Sequence, residues 1–229
     1  MEEKNKSDIA SQIGDEAVIS VAEMRAADAR TIAGGTPGKV LMGRAAQGIF
    51  DAVAKGDVPG FENGWDGKKT VIVCGSGNNG GDGYALVSIL AREGFDVSLV
   101  RASEKLSEDG GYYYEKCREA GIPEIAFDGA ETDLEGFDIA VDCVLGTGFQ
   151  GEPRGAAADA IDMINKAAGT MKIVSCDINS GMNGDTGEAV KAVKSDLTVS
   201  IGFYKTGLLT GRAPELIGAL RNVDIGIRL

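Results

Sequence analysis

Three polar loops in this chain place oxygen-bearing side chains directly after apolar runs. The first is Gly75-Ser-Gly-Asn-Asn-Gly-Gly-Asp-Gly83, with the amides of Asn78 and Asn79 and the carboxylate of Asp82. The second runs from Asp142 through Gly146-Thr-Gly148 to Arg154. The third is Asp177-Ile-Asn-Ser180-Gly181, followed by Asp185-Thr-Gly187. Carboxylates can move protons. The chain has no histidine, so acid–base work near neutral pH falls to Asp, Glu, Lys, Tyr, Cys or water. Ser-His-Asp and Cys-His catalysis and imidazole metal sites are excluded. The Asn79 amide oxygen, the Asp142 carboxylate and the Ser180 hydroxyl make a second set. One negative charge among neutral hard oxygens suits a monovalent cation such as potassium better than Zn²⁺ or Mg²⁺.

Each loop also has a plainer reading. Gly75-x-Gly77-x-x-Gly80 matches a dinucleotide-binding fingerprint. That fingerprint expects an acid at the end of the second strand, where this chain has Arg101, and Asp82 would compete with a pyrophosphate at the helix start. The alternative is a tight glycine turn in which Asp82 complements the helix dipole. Asp142 lies within an otherwise apolar run, and a buried carboxylate needs a cation or several N–H donors. Gly146 and Gly148 admit close backbone approach to a ligand. Arg154 can pair with a phosphate, or simply lie on the surface. Asp177 is expected at the carboxyl end of its strand, where open α/β sheets bind ligands.

Regular elements must hold these loops. Ser20-Val-Ala-Glu23 is a capping box that opens a helix over 21–32, and a second helix is expected over 39–54. Strands are expected over 70–74, 96–100, 138–144, 172–176, 196–201 and 221–225, with a short one near 124–127. Helices over 81–93, 107–120 and 156–168 alternate with them. This spacing means βαβ units and an α/β fold with a parallel sheet covered on both faces. Residues 1–18 are polar and expected to be a flexible segment, with 19–229 a single domain. The two leading helices should pack on the same core or supply a dimer surface.

Composition narrows the partners. With a net charge of −12 the chain repels a phosphate backbone, so nucleic acid is not expected. No run reaches the ~18 apolar residues of a membrane span, and the first residues lack a signal peptide's apolar stretch. The chain is therefore expected in the cytoplasm. Cys74, Cys117, Cys143 and Cys176 show no paired spacing and read as buried, reduced thiols.

Together the three loops resemble the YjeF N-terminal family, the NAD(P)H-hydrate epimerases. The family's G-N-N-G-G-D-G is unbroken over Gly77–Gly83, its D-x-x-x-G-T-G is Asp142 to Gly148, and its D-[IV]-P-S-G corresponds to Asp177-Ile-Asn-Ser-Gly181. Ala22-Glu-Met-Arg-Ala26 and Val40-Leu-Met42 resemble its leading helices, and Lys205-Thr-Gly-Leu208 its late K-P-G-L segment. The likeness spans roughly residues 19 to 226. Asn179 stands where the family has proline, so the turn that presents Ser180 is expected to be looser. Gly43 stands where the second leading helix often has Glu.

The resemblance implies a Rossmann-like three-layer αβα sandwich with a mostly parallel central sheet and the two leading N-terminal helices. It implies a homodimer and a bound potassium ion (K+) held by Asn79, Asp142 and Ser180. The substrate, NADHX or NADPHX, is implied at Asn78, Asn79, Gly80, Gly81, Asp82, Gly146, Thr147, Gly148, Phe149, Gln150, Gly151, Glu152 and Asp177. The activity implied is interconversion of R and S epimers at nicotinamide C6. Asp177 is the expected catalytic group, with Asp82 as helper and Lys205 in reserve. The rival readings are a non-catalytic binding module of the same fold and an NAD(P)-dependent oxidoreductase.

Overall fold

A computed structural model of the protein describes residues 11–229. The chain enters with β1 (Val18–Ile19), α1 (Val21–Ala33) and α2 (Gly38–Ala54). Alternation follows: β2 (Lys69–Cys74), α3 (Asn78–Arg92), β3 (Asp96–Arg101), α4 (Glu108–Glu119), β4 (Glu124–Ile125), β5 (Ile139–Cys143), α5 (Ala156–Ala167), β6 (Lys172–Cys176) and β7 (Leu197–Ile201). The chain ends with β8 (Tyr204–Lys205), the single turn α6 (Ala213–Leu216) and β9 (Ala219–Val223). Seven strands form one sheet in the order β4-β3-β2-β5-β6-β7-β9, and every pairing in it is parallel. Strand order reverses between β2 and β5, which opens a crevice at their carboxyl ends.

Side-chain alternation along the strands divides the core. Ile72, Val141, Val174 and Val199 face α2, α3 and α4, packing with Leu41, Ile49 and Leu86. Val71, Val73, Ala140 and Ile173 face α5, packing with Ile161 and Ile164. Each such buried aliphatic contributes about 1.5–3 kcal/mol relative to exposure. The expected αβα sandwich is therefore the observed one. α2 packs on the core through a broad apolar face. α1 buries only Val21 and Ala27 and is held by its ends as much as by packing. Its capping box forms as expected: Ser20 Oγ accepts from Glu23 N–H, and Glu23 accepts from Ser20 N–H. Gly43 leaves room for Tyr113, whose hydroxyl would lie 2.6 Å from a β-carbon there.

The early segment differs from expectation from Gln12 onward; residues 1–10 lie outside the described residues. Gln12 accepts a hydrogen bond from Leu220 N–H, Ile13 is buried in a third apolar cluster, and Glu16 accepts from Asn222. β1 pairs in parallel with β8, so Ile19 lies beside Lys205. These partners lie some two hundred residues downstream, beyond the reach of local pattern.

Candidate active site

A cavity of about 470 Å³ opens at the carboxyl ends of the central strands, in the crevice between β2 and β5. Its floor is Ser76–Asn79 and Asp82 from the start of α3, Val144 to Phe149 after β5, and Asp177 after β6. Met24, Arg25, Asp28 and Ile32 of α1 and Leu41, Met42 and Ala45 of α2 close it from the helix side.

The first loop is shaped by close approach. A β-carbon on Gly75 would lie 2.0 Å from the Val144 carbonyl oxygen, and one on Gly80 would lie 2.1 Å from that of Gly75. Only glycine lets the loop fold this tightly against β5. α3 starts at Asn78, three residues earlier than expected, and its N-cap Gly77 has no side chain to satisfy the first N–H groups. Those groups stay available to an acceptor beside the cavity.

Asn79, 6% exposed, donates through Nδ2 to Leu145 O at 3.0 Å. Its Oδ1 is buried without a hydrogen-bond partner. Asp142 is fully buried at the end of β5 and collects donors: Ser175 Oγ at 3.0 Å, Ser180 N at 2.9 Å, Val144 N at 3.2 Å and the Ser180 hydroxyl. Burial pushes its carboxyl up and these hydrogen bonds pull it down, with burial ahead. Ser180 Oγ also accepts from Leu145 N–H at 2.7 Å. Asn79, Asp142 and Ser180 thus join through Leu145, which itself lines the cavity.

The turn before Ser180 is tight, contrary to expectation. The buried Asn179 amide donates to Val193 O, Ser195 Oγ and Leu216 O at 2.9 to 3.1 Å and accepts from Thr198 Oγ1 at 2.8 Å. Side-chain hydrogen bonds replace the rigidity of a proline ring.

Asp177 is the one non-glycine with positive φ among the described residues, at 66°. Aspartate tolerates this region better than most residues, but the strain still costs roughly 1–3 kcal/mol. Its N–H donates to Val199 O at 2.7 Å, and its carboxylate is ion-paired with Lys205. The Lys205 side chain is 1% exposed and that of Asp177 15%. Lys205 Nζ also donates to Ile201 O at 2.7 Å. Two further carboxyl groups share the cavity. Burial, then Asp177 and Asp28, hold Asp82 well above the ordinary carboxylate range, although its side chain keeps partial access to solvent; Lys205 opposes the shift. Asp28 is pushed up by burial and by Asp177.

Of the residues expected to meet substrate, Asn78, Asn79, Asp82, Gly146, Thr147, Gly148, Phe149 and Asp177 line the cavity. Gly80 and Gly81 do not; they are buried where α3 packs, Gly80 on Gly75 and Gly81 on Met42 and Gly110. Gln150, Gly151 and Glu152 are exposed beyond its wall. Arg101 and Arg154 do not line it either: Arg101 is engaged by Glu104, Glu124 and Tyr114, and Arg154 is exposed. Asp28 belongs to none of the sequence motifs, and Arg25 only to the leading-helix likeness. Their only local signal is the spacing of Met24, Arg25, Asp28 and Ile32, which puts them on one helix face. Among the described residues no group of three or more His, Cys, Asp or Glu could hold a metal ion, and no helix is long and apolar enough to cross a membrane.

The chain is 34% identical over 213 residues to an NAD(P)H-hydrate epimerase of Lentilactobacillus buchneri, covering 91% of this chain and 94% of that one. It is 34% identical over 209 residues to a bifunctional NAD(P)H-hydrate repair enzyme of Archaeoglobus fulgidus, covering 91% of this chain but 41% of that one. A crystal structure of a yeast protein superposes with a TM-score of 0.71 at 22% identity, covering 83% of this chain and 82% of the other, which bears on the fold alone. The family model described as the YjeF-related protein N-terminus matches residues 38–207, and the chain belongs to that family.

Proposed function

We propose that this chain is an NAD(P)H-hydrate epimerase, interconverting the R and S epimers of NADHX and NADPHX at nicotinamide C6. The observation that carries the reading is Asp177: a carboxylate in strained backbone at a strand end, ion-paired to a buried lysine and opening into a cavity that a helix start also faces. The substrate carries a hydroxyl at C6, next to the ring nitrogen. Once that hydroxyl is protonated, the nitrogen lone pair expels it as water and leaves an iminium cation. Water then adds to the opposite face.

This path needs an acid–base group and nearby negative charge. Asp177 is the acid–base group, and Lys205 holds its carboxylate in place. Asp82, whose protonated form burial favours, is placed to orient the hydroxyl or the carboxamide. The Asp177 carboxylate, which faces the cavity, supplies the negative charge that favours a cationic intermediate. The free N–H groups at the start of α3 suit the substrate's phosphates.

The donor set fits potassium. Asn79 Oδ1 is buried and lacks a partner, and Asp142 is linked to Asn79 through Ser180 and Leu145. In this reading Asn79, Asp142 and Ser180 hold the ion, which would supply fixed positive charge near the substrate's phosphates. A homodimer is part of the same reading. Four free cysteines favour the reducing cytoplasm. The test is chromatographic separation of R and S NADHX after incubation with the purified chain. Asp177→Asn is expected to lose interconversion, and a parental rate in that variant ends the assignment.

A further inference from the structure

We propose that Asp28 is a second catalytic acid of this site, serving the face of the nicotinamide ring opposite the one served by Asp177. The inference rests on the epimerase reading above. Inversion at C6 requires oxygen to leave from one face of a planar ring and to arrive on the other. A single carboxyl group on one side cannot hydrogen-bond to both positions.

The cavity offers carboxyl groups from two separate elements. Asp177 stands on the floor at the end of β6, while Asp28 comes from α1 on the helix side. α1 is fixed over the strand ends. Val21 N–H donates to Asp185 at 2.7 Å, Met24 packs on Gly202, and the Arg25 guanidinium lies over Gly148. Among the described residues no hydrogen bond or ion pair occupies the half-buried Asp28 carboxyl group, so it is free for a guest. Burial and the charge of Asp177 favour the protonated form of Asp28, whereas Asp177 is paired with Lys205.

The exchange then balances. The Asp28 carboxyl group gives its proton to the departing C6 hydroxyl, the C6–O bond breaks to release water, and the nitrogen lone pair forms C6=N⁺. A water on the floor side attacks C6, the electron pair returns to nitrogen, and the Asp177 carboxylate takes the surplus proton. Reversal converts the other epimer, and both carboxyl groups reset by proton exchange with solvent.

The test follows oxygen as well as stereochemistry. Purified single epimers are incubated in ¹⁸O-water with the parent chain, Asp28→Asn or Asp28→Glu, and the melting temperature of each variant is measured. In Asp28→Asn, inversion is expected to fall about 100-fold or more. One epimer should still exchange its C6 oxygen with retention, through Asp177, near the parental rate. Asp28→Glu keeps the acid and should recover inversion. Near-parental inversion in Asp28→Asn overturns the proposal, as does joint loss of inversion and exchange. If Asp28→Asn fails to fold, Asp28→Glu decides: inversion carried with exchange supports the role, and exchange without inversion overturns it. A parent chain that neither inverts nor exchanges is a different result, which sinks the epimerase reading itself.

Discussion

Asp142 is the penultimate residue of β5 and hydrogen-bonds to Ser180, and Asp177 follows β6, the neighbouring strand, three residues before that serine. Asp142 accepts from Ser175, Ser180 and Val144 and is sealed from solvent. Asp177 has a lysine on one side and an open cavity on the other. The difference separates two uses of a buried charge. Surrounded by donors, a carboxylate organises loops; left partly unsatisfied beside like charges, it is available for proton transfer. Asp82 and Asp28 belong with Asp177 on this criterion, since neither is pulled down by a ring of donors.

Substitutions can break that contrast. Asp177→Asn should cost about 100- to 10,000-fold in the interconversion rate, with nucleotide binding retained in a fluorescence titration. Asp142→Ala should act on the fold instead. It orphans several buried donors and should lower unfolding free energy by about 3 kcal/mol or more, read by urea titration. If Asp142→Ala melts like the parent while Asp177→Asn unfolds, the division of roles is wrong.

Asp82 sharpens the contrast through pH. Its carboxyl is raised above the ordinary 3.8, so the folded state binds more protons than the unfolded chain above that pH. Stability must therefore fall as pH rises from about 4 through the raised value, where the unfolded chain ionises freely and the folded one resists. Asp82→Asn should flatten this slope in urea midpoints measured across the range. The smallest effect is expected at Gln150 and Glu152, exposed beyond the cavity wall. Alanine there should leave stability within about 0.5 kcal/mol and turnover near parental.

Much of this was legible in the chain itself. The strand ends marked by Gly75, Asp142 and Asp177 carry their signal locally, because an apolar run meeting glycine and carboxylate marks a strand end in a parallel sheet. Nearly every helix and strand fell within a few residues of its expected bounds. What stayed hidden depends on distant partners. Asp28 sits on a thinly apolar helix whose place over the cavity is set by Asp185, Gly148 and Gly202. Asn179 looked like a loosened proline because its partners Val193, Ser195, Thr198 and Leu216 lie up to 37 residues ahead. Gly80 and Gly81 looked like ligand contacts because a motif does not distinguish closeness to a guest from closeness to Gly75 or Met42.

The parallel ladder of Val18–Ile19 with Tyr204–Lys205 has a temporal meaning. Its two halves lie almost two hundred residues apart, so during synthesis Val18–Ile19 must wait for Tyr204–Lys205 to emerge before it can pair. The lysine that clasps Asp177 arrives at the same late moment. The strands from β2 to β7 can thus pair before the Asp177 ion pair exists, and one late ladder both fastens the segment before α1 and brings the lysine to its carboxylate.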